Sequence, residues 1–328
     1  MDNFGRAYPH LKPKTRRGGA YSSRPIGENM KNLIEILKNN HITYKTDEPM
    51  KAHTTFKIGG AADIFITVND IDELRLTIKA CRDNAVPVMI LGKGSNLLIS
   101  DDGIEGAVIL LDGCFKELTV DGDVITCGAG VALSKLCTTA LDNGLAGLEF
   151  AYGIPGSVGG AVYMNAGAYG GETKDVCIEA TYLTPDGEIG TYTADELDFS
   201  YRHSIFKEND NIILYSKYKL TPDDPKAIKA RMDDYLNRRR TKQPLDYPSA
   251  GSVFKRPEGA YAGTLIEQCG LKGKTVGGAQ VSEKHAGFII NIGGATCDDV
   301  MDLVKLVQDT VKSETGYYLE REIIRTGR

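Results

Sequence analysis

The stretch AYGIPGSVGGAVYMNAGAYGG, residues 151–171, decides how the rest of the chain is read. It holds seven glycines, at 153, 156, 159, 160, 167, 170 and 171, and a single proline, Pro155. Glycine reaches backbone angles closed to other residues and lets a ligand or a second backbone approach closely. A flexible linker is polar throughout, whereas Ile154, Val158, Val162, Tyr163 and Met164 give this segment apolar anchors. The residues alone leave two readings: a packed loop whose N–H groups form an anion-binding nest, or a tight crossover between strands.

Working outward toward the N-terminus, Gly92-Lys93-Gly94-Ser95-Asn96 offers related chemistry. Two glycines flank a lysine and two small polar side chains follow, which suits phosphate through N–H, hydroxyl and ammonium donors. An ordinary βα turn is the alternative. The spacing matches neither the P-loop nor the dinucleotide fingerprint. The apolar run at 86–91 before it reads as a buried strand. Further upstream, Leu33, Ile34 and Leu37 mark one face of a helix over 29–39. Phe56, Ile58, Ile64, Ile66 and Val68 alternate as strand residues around Gly59-Gly60. Asp70 and Glu73 have the spacing of a capping box, opening a helix whose apolar face is Ile71, Leu74, Ile78 and Cys81.

Past residue 106, Asp121-Gly122 sits between alternating strand residues and predicts a hairpin. A helix over 133–142 follows, closed by Asn143-Gly144. Beyond the glycine-rich stretch, Pro185-Asp186-Gly187 predicts a second hairpin between 178–184 and 189–193, and 211–220 reads as a strand. After a break at 221–225, a helix carries Ile228, Met232, Tyr235 and Leu236, and ends in Arg238-Arg239-Arg240. Three arginines at a helix C-terminus read as a solvated end that favours the dipole. A short helix up to Cys269-Gly270 and a strand at 287–292 come next. A long helix then presents Val300, Leu303, Val304, Val307 and Val311, and a final strand is expected at 317–325. Short helices mixed with hairpins predict α+β architecture rather than a doubly wound sheet.

Length and composition set the bounds. The 328 residues have room for two or three domains, and 41% hydrophobic with 25% charged residues describes a globular chain with real cores. A net charge of −5 argues against nucleic acid as the main partner. Seven scattered cysteines without a C-x-x-C pair fit neither a disulfide framework nor a zinc site, so the expected setting is a reducing cytoplasm. No metal is expected, because the histidines lack ligand spacing. No apolar run approaches the roughly 18 residues of a membrane span. Residues 1–28, polar and basic without the apolar centre of a signal peptide, are expected to form a mobile arm.

Six segments in order, TTFKIGGAAD (54–63), LGKGSNLLI (91–99), GIPGSVGGAVYMNAGAYGGE (153–172), YRHSIF (201–206), AGSVFKRP (250–257) and LEREIIRTG (319–327), resemble the UDP-N-acetylenolpyruvoylglucosamine reductase family. The resemblance runs from about residue 29 to 327. It implies an FAD-binding domain of the p-cresol methylhydroxylase and vanillyl-alcohol oxidase type in two lobes, 29–108 and 109–221. A C-terminal α+β substrate domain, 222–328, is implied after it. The short run between RRRTKQP and AGSVFKRP is similar to the family type lacking an additional tyrosine-bearing loop. FAD is implied to be non-covalent, its pyrophosphate held by Gly92, Lys93, Gly94, Ser95 and Asn96 together with Gly153, Ile154, Pro155, Gly156, Ser157, Gly159, Gly160 and Ala161. NADPH is the implied co-substrate.

The reaction that the resemblance implies reduces a vinyl ether, with hydride passing from NADPH to FAD and from flavin N5 to C3 of an enolpyruvyl group. Charge developing at C2 spreads into the adjacent carboxylate, so the site needs a cation there and a proton donor for C2. Arg202 matches the family cation, and a planar fork suits a carboxylate. Ser252 matches the proton donor. Glu322 matches the family glutamate, although Arg321 and Ile324 depart from the family pattern and leave Glu320 as the alternative. Tyr201, Lys255, Arg256 and His285 lie where the family contacts its UDP-sugar. The competing functions are an FAD oxidase of small alcohols or sugars and a flavin-binding protein without turnover.

Overall fold

The computed structural model describes residues 27–328. The expected N-terminal arm therefore lies outside the described residues, apart from its last two. Helix α1, Glu28–Asn39, buries Leu33 and Leu37. The strands Thr43–Pro49, Ala61–Val68, Ile104–Leu111 and Val88–Leu91 lie side by side in that order as a mixed four-stranded sheet. Its central strand is apolar on both faces. Ile64, Ile66 and Val68 join the core that holds Leu33 and Leu74, while Ala62 and Phe65 pack with Met50, Leu91 and Ile99 on the opposite face. Helix α2, Ile71–Asp83, is capped by Asp70, whose carboxylate accepts the Glu73 N–H at 2.8 Å. The expected box is shifted by one residue, because Glu73 accepts from the Asn69 N–H at 2.7 Å instead of from Asp70.

Two expectations fail in this lobe. The run at 86–91 forms only the edge strand Val88–Leu91, with Val88 40% exposed, since nothing pairs with its outer side. Phe56 and Ile58 are buried but lie outside any strand. Their alternation reflects packing into the C-terminal core beside Leu98 and Val253 rather than a pleat.

The second lobe is a five-stranded antiparallel sheet in the order Ile189–Thr193, Cys177–Leu183, Ile212–Lys219, Val124–Gly128, Leu118–Asp121. Both predicted hairpins form. Helices α3, Leu133–Asp142, and α4, Val158–Met164, cover it, and one continuous core runs through the two lobes. The strand Ile104–Leu111 belongs wholly to the first sheet, which carries that lobe to residue 111 rather than 108.

Helix α5, Pro225–Lys242, starts on the cap Asp224 and buries Ile228 and Met232 in the core of the second lobe. The change of core thus falls after α5, not at residue 222. Its arginines do not all meet solvent as expected: Arg238 pairs with Asp234 on the helix surface, but Arg239 turns inward over the glycine-rich stretch. Beyond it, the strands Ser249–Ser252, Phe288–Asn291, Ala279–Val281 and Thr275–Val276 make a four-stranded antiparallel sheet. Helix α6, Ala262–Gln268, and helix α7, Cys297–Thr315, complete this unit. Thr296 and Asp299 box the start of α7, and Asp101 of the first lobe accepts the Cys297 N–H at 2.7 Å. The expected strand at 317–325 is confined to Ile324–Thr326, which pairs in parallel with Leu97–Ile99. Leu319 and Ile323, four apart and both buried, would share one face of a strand, but before Ile324 the segment makes only the isolated bridge of Arg321 with Phe254 and so builds no ladder. All seven cysteines are unpaired, and no helix among the described residues is long and apolar enough to cross a membrane.

Candidate active site

The two glycine loops meet. A Cβ at Gly92 would stand 2.5 Å from the Ser157 hydroxyl, and Gly94, at φ +59°, turns under the His53 carbonyl where a side chain would collide with backbone. Among the described residues, the N–H groups of Lys93, Gly94, Ser95 and Asn96 donate to no protein acceptor, and neither do those of Gly153 and Gly156. Several other donors of the glycine-rich stretch are consumed by the fold. Val158 donates to Val131 O and Gly159 to Ala129 O, both at 2.9 Å, while Gly160 donates to the Ser157 cap at 3.3 Å. Both readings of that stretch are therefore partly right: its second half is a crossover into α4, and its first half keeps open donors. Free N–H groups on two facing loops are the donor set that a diphosphate needs, so the residues present fit the diphosphate of FAD.

Past α4 the same stretch carries the segment bearing Arg202. Asn165, fully buried at φ +41°, ends α4 in the left-handed region. Its amide donates to Ser200 O at 2.9 Å and to the Glu172 carboxylate at 3.0 Å, and its oxygen accepts the Lys174 N–H at 3.0 Å. Four residues on, the buried Ser204 hydroxyl donates to Tyr163 O at 2.8 Å. Arg202 is thus held from both sides, in a left-handed backbone conformation (φ +57°) that a bulky residue adopts only when its surroundings impose it.

The C-terminal unit supplies the rest. Arg202 Nε donates to Glu322 Oε1 at 2.6 Å, with both side chains mostly buried, and Arg202 Nη2 reaches Gly167 O at 3.4 Å. Glu322 is fixed by its backbone: its N–H donates to Val253 O at 2.7 Å, and Asn96 of the first glycine loop donates to its carbonyl at 3.3 Å. Ser252 adjoins Val253 at the end of its strand, half-buried, and among the described residues its hydroxyl makes no hydrogen bond. Glu320 points the other way, exposed and paired with Lys255.

A cleft of about 670 Å³ opens beside this group, lined by Tyr201, Lys255, Arg256, Tyr317, Tyr318 and Glu320 among others. The Tyr201 hydroxyl accepts the Arg256 N–H at 3.2 Å, its ring lies 5.0 Å from the Arg202 guanidinium, and Arg256 stacks over Tyr261 at 4.1 Å. His285 is placed elsewhere: its ring packs edge-on to Phe288 and its Nδ1 accepts the Gly287 N–H at 3.1 Å. Two residues in this region escaped the sequence reading. Asn165 looked like one more small residue in a glycine-rich run. Lys207, one position past YRHSIF, sits 5.5 Å over the Tyr163 ring. Burial first, then the nearby charge of Lys255, holds its pKa below the ordinary lysine value.

A family model described as the C-terminal domain of UDP-N-acetylenolpyruvoylglucosamine reductase matches residues 243–326, and one described as an FAD binding domain matches residues 62–192. The UDP-N-acetylenolpyruvoylglucosamine reductase of Agathobacter rectalis is 51% identical over 295 residues, covering 86% of this chain and 93% of its own length. That of Syntrophomonas wolfei is 47% identical over 279 residues, covering 85% and 93%. Among solved structures, the UDP-N-acetylenolpyruvylglucosamine reductase of Thermus caldophilus superposes with a TM-score of 0.75 at 36% identity, over 87% of this chain and 98% of that one.

Proposed function

The chain belongs to the UDP-N-acetylenolpyruvoylglucosamine reductase family of FAD-dependent oxidoreductases, and on that premise we propose that it reduces UDP-N-acetylglucosamine enolpyruvate to UDP-N-acetylmuramate with NADPH, a cytoplasmic step of peptidoglycan precursor synthesis. The observation that carries this reading is the buried Arg202–Glu322 pair beside an unengaged Ser252 hydroxyl, between the glycine loops and the cleft.

When bound, FAD would supply the redox chemistry, a hydride for the enolpyruvyl double bond with NADPH as its source. The open N–H groups of Lys93, Gly94, Ser95, Asn96, Gly153 and Gly156 would hold the cofactor's diphosphate. Arg202 receives the substrate carboxylate and stabilises charge developing at C2, ready-placed so that no reorganisation is needed at the moment of reaction. Glu322 orients Arg202 through its Nε and leaves the guanidinium edge for the substrate. The Ser252 hydroxyl gives its proton to C2, a transfer that its freedom from internal hydrogen bonds allows. Tyr201, Lys255 and Arg256 bind the nucleotide-sugar in the cleft. His285, whose ring packs against Phe288 away from the cleft, takes no part in that binding. Residues 29–221, with α5 packed on them, serve FAD, and the remainder serves the substrate.

An anaerobic visible spectrum tests this. Purified protein is yellow, bleaches with NADPH and regains its colour with UDP-N-acetylglucosamine enolpyruvate. Bleached protein that recolours only in air would instead favour an oxidase.

A further inference from the structure

We infer that Arg239 binds the flavin, its guanidinium being the counter-charge for an anionic acceptor of bound FAD, either the diphosphate or the pyrimidine edge of the ring. Among the described residues, Arg239 Nε is the only buried side-chain nitrogen or oxygen without a hydrogen-bond partner. Native structures leave few such atoms, and a charged one without an acceptor is the costliest kind. Of the other arginines of α5, Arg231 pairs with Glu149 and Asp223, Arg238 pairs with Asp234, and Arg240 is exposed to solvent. Arg239 has no carboxylate.

Its position points at the cofactor loop. A Cβ on Gly153 would stand 2.8 Å from Arg239 Nε and 2.9 Å from its Cδ, so the guanidinium lies directly over the first glycine of the loop, whose own N–H is also free. Burial works against its charge and lowers its pKa, and the Tyr169 hydroxyl, on a residue in the left-handed region at φ +55° and stacked on Tyr235 at 4.8 Å, is a neutral hydrogen-bond partner that offsets this only in part. An arginine is always charged in proteins, so this side chain waits for an anion. Position 239 falls between the two matched ranges, 62–192 and 243–326, and neither covers it.

The inference rests on FAD occupying the glycine loops, and the test separates the two. FAD is stripped from native protein, Arg239→Gln and Arg239→Lys, then titrated back with flavin fluorescence as the readout. Arg239→Gln raises the Kd for FAD at least ten-fold, equivalent to about 1.4 kcal/mol, and its FAD-free form melts no lower than the native FAD-free form, because an unpaired buried charge has gone. A merely structural arginine would give the opposite pattern: a lower FAD-free melting temperature with native FAD affinity, and that result overturns the inference. Arg239→Lys keeps the charge and loses the fork. It serves where the glutamine variant does not fold, with at least three-fold weaker binding expected and native affinity as the contrary result. A reduction potential unchanged in Arg239→Gln places the contact at the diphosphate, and a lowered one places it at the ring; either upholds the assignment. Native protein that takes up no FAD would remove the flavin reading itself.

Discussion

Asn165→Ala tests how the active-site arginine is held. The substitution removes three hydrogen bonds of 2.9–3.0 Å, made by a side chain with no exposure to solvent. A satisfied hydrogen bond nets about 1 kcal/mol, but each buried group left without a partner costs about 1–3 kcal/mol. Alanine at φ +41° adds roughly 1–2 kcal/mol, because asparagine tolerates the left-handed region better. Allowing for partial rehydration of Glu172, the expected loss is about 3–5 kcal/mol of folding stability. The functional consequence is local. Without the bond to Ser200 O, the segment carrying Arg202 relaxes, and misplacement by about 1 Å costs on the order of 10²-fold in rate. Urea unfolding gives the first quantity, and stopped-flow absorbance of the flavin gives the second. Reoxidation by the enolpyruvyl substrate slows while reduction by NADPH keeps its native rate. A stability loss below about 1 kcal/mol, or equal slowing of both half-reactions, would refute the account of how Arg202 is positioned.

Other changes have sharp outcomes. Gly94→Ala puts a Cβ against the His53 carbonyl at φ +59°, and strain of about 1–3 kcal/mol appears as weaker FAD binding in a fluorescence titration; native affinity would mean that the loop has slack. Glu322→Gln slows substrate-dependent reoxidation on the order of 10²-fold or more in stopped-flow, while Glu320→Gln, whose partner is the exposed Lys255, leaves it unchanged. The reverse result would reassign the carboxylate. Burial holds the pKa of His285 below 6.5, so the unfolded chain takes up its proton first as pH falls. The associated stability is complete above that value and is lost below it. His285→Asn, whose amide oxygen can accept the Gly287 N–H, flattens the acid limb of stability against pH; an unchanged limb would contradict this placing of the ring.

What the sequence shows and hides has physical causes. Helices α2, α3 and α7 were legible because each carries a strong apolar period, joined in α2 and α3 by a local signal at one end. Both hairpins were legible because Asp121-Gly122 and Pro185-Asp186-Gly187 are turn chemistry that acts within a few residues. Long-range packing was not legible. Phe56 and Ile58 alternate like a strand yet serve the core of another unit, and α5 buries Ile228 and Met232 in the lobe that precedes it in sequence. The terminal segment is held by a few backbone bonds to Val253, Lys255 and Asn96 and by a three-residue parallel pairing, which no periodicity announces. The structure brings together Arg202, Glu322 and the end of the strand bearing Ser252, which lie far apart in the chain. Asn165 and Arg239 act through where they point, and no local pattern encodes that.

The most direct test of the chemistry is Ser252→Ala, followed anaerobically through both half-reactions in one stopped-flow experiment. Flavin reduction by NADPH should proceed as in the native protein. Reoxidation by UDP-N-acetylglucosamine enolpyruvate should slow on the order of 10²–10⁴-fold, the range that a positioned proton donor supplies. Reoxidation near the native rate would contradict the account and take the proton away from Ser252.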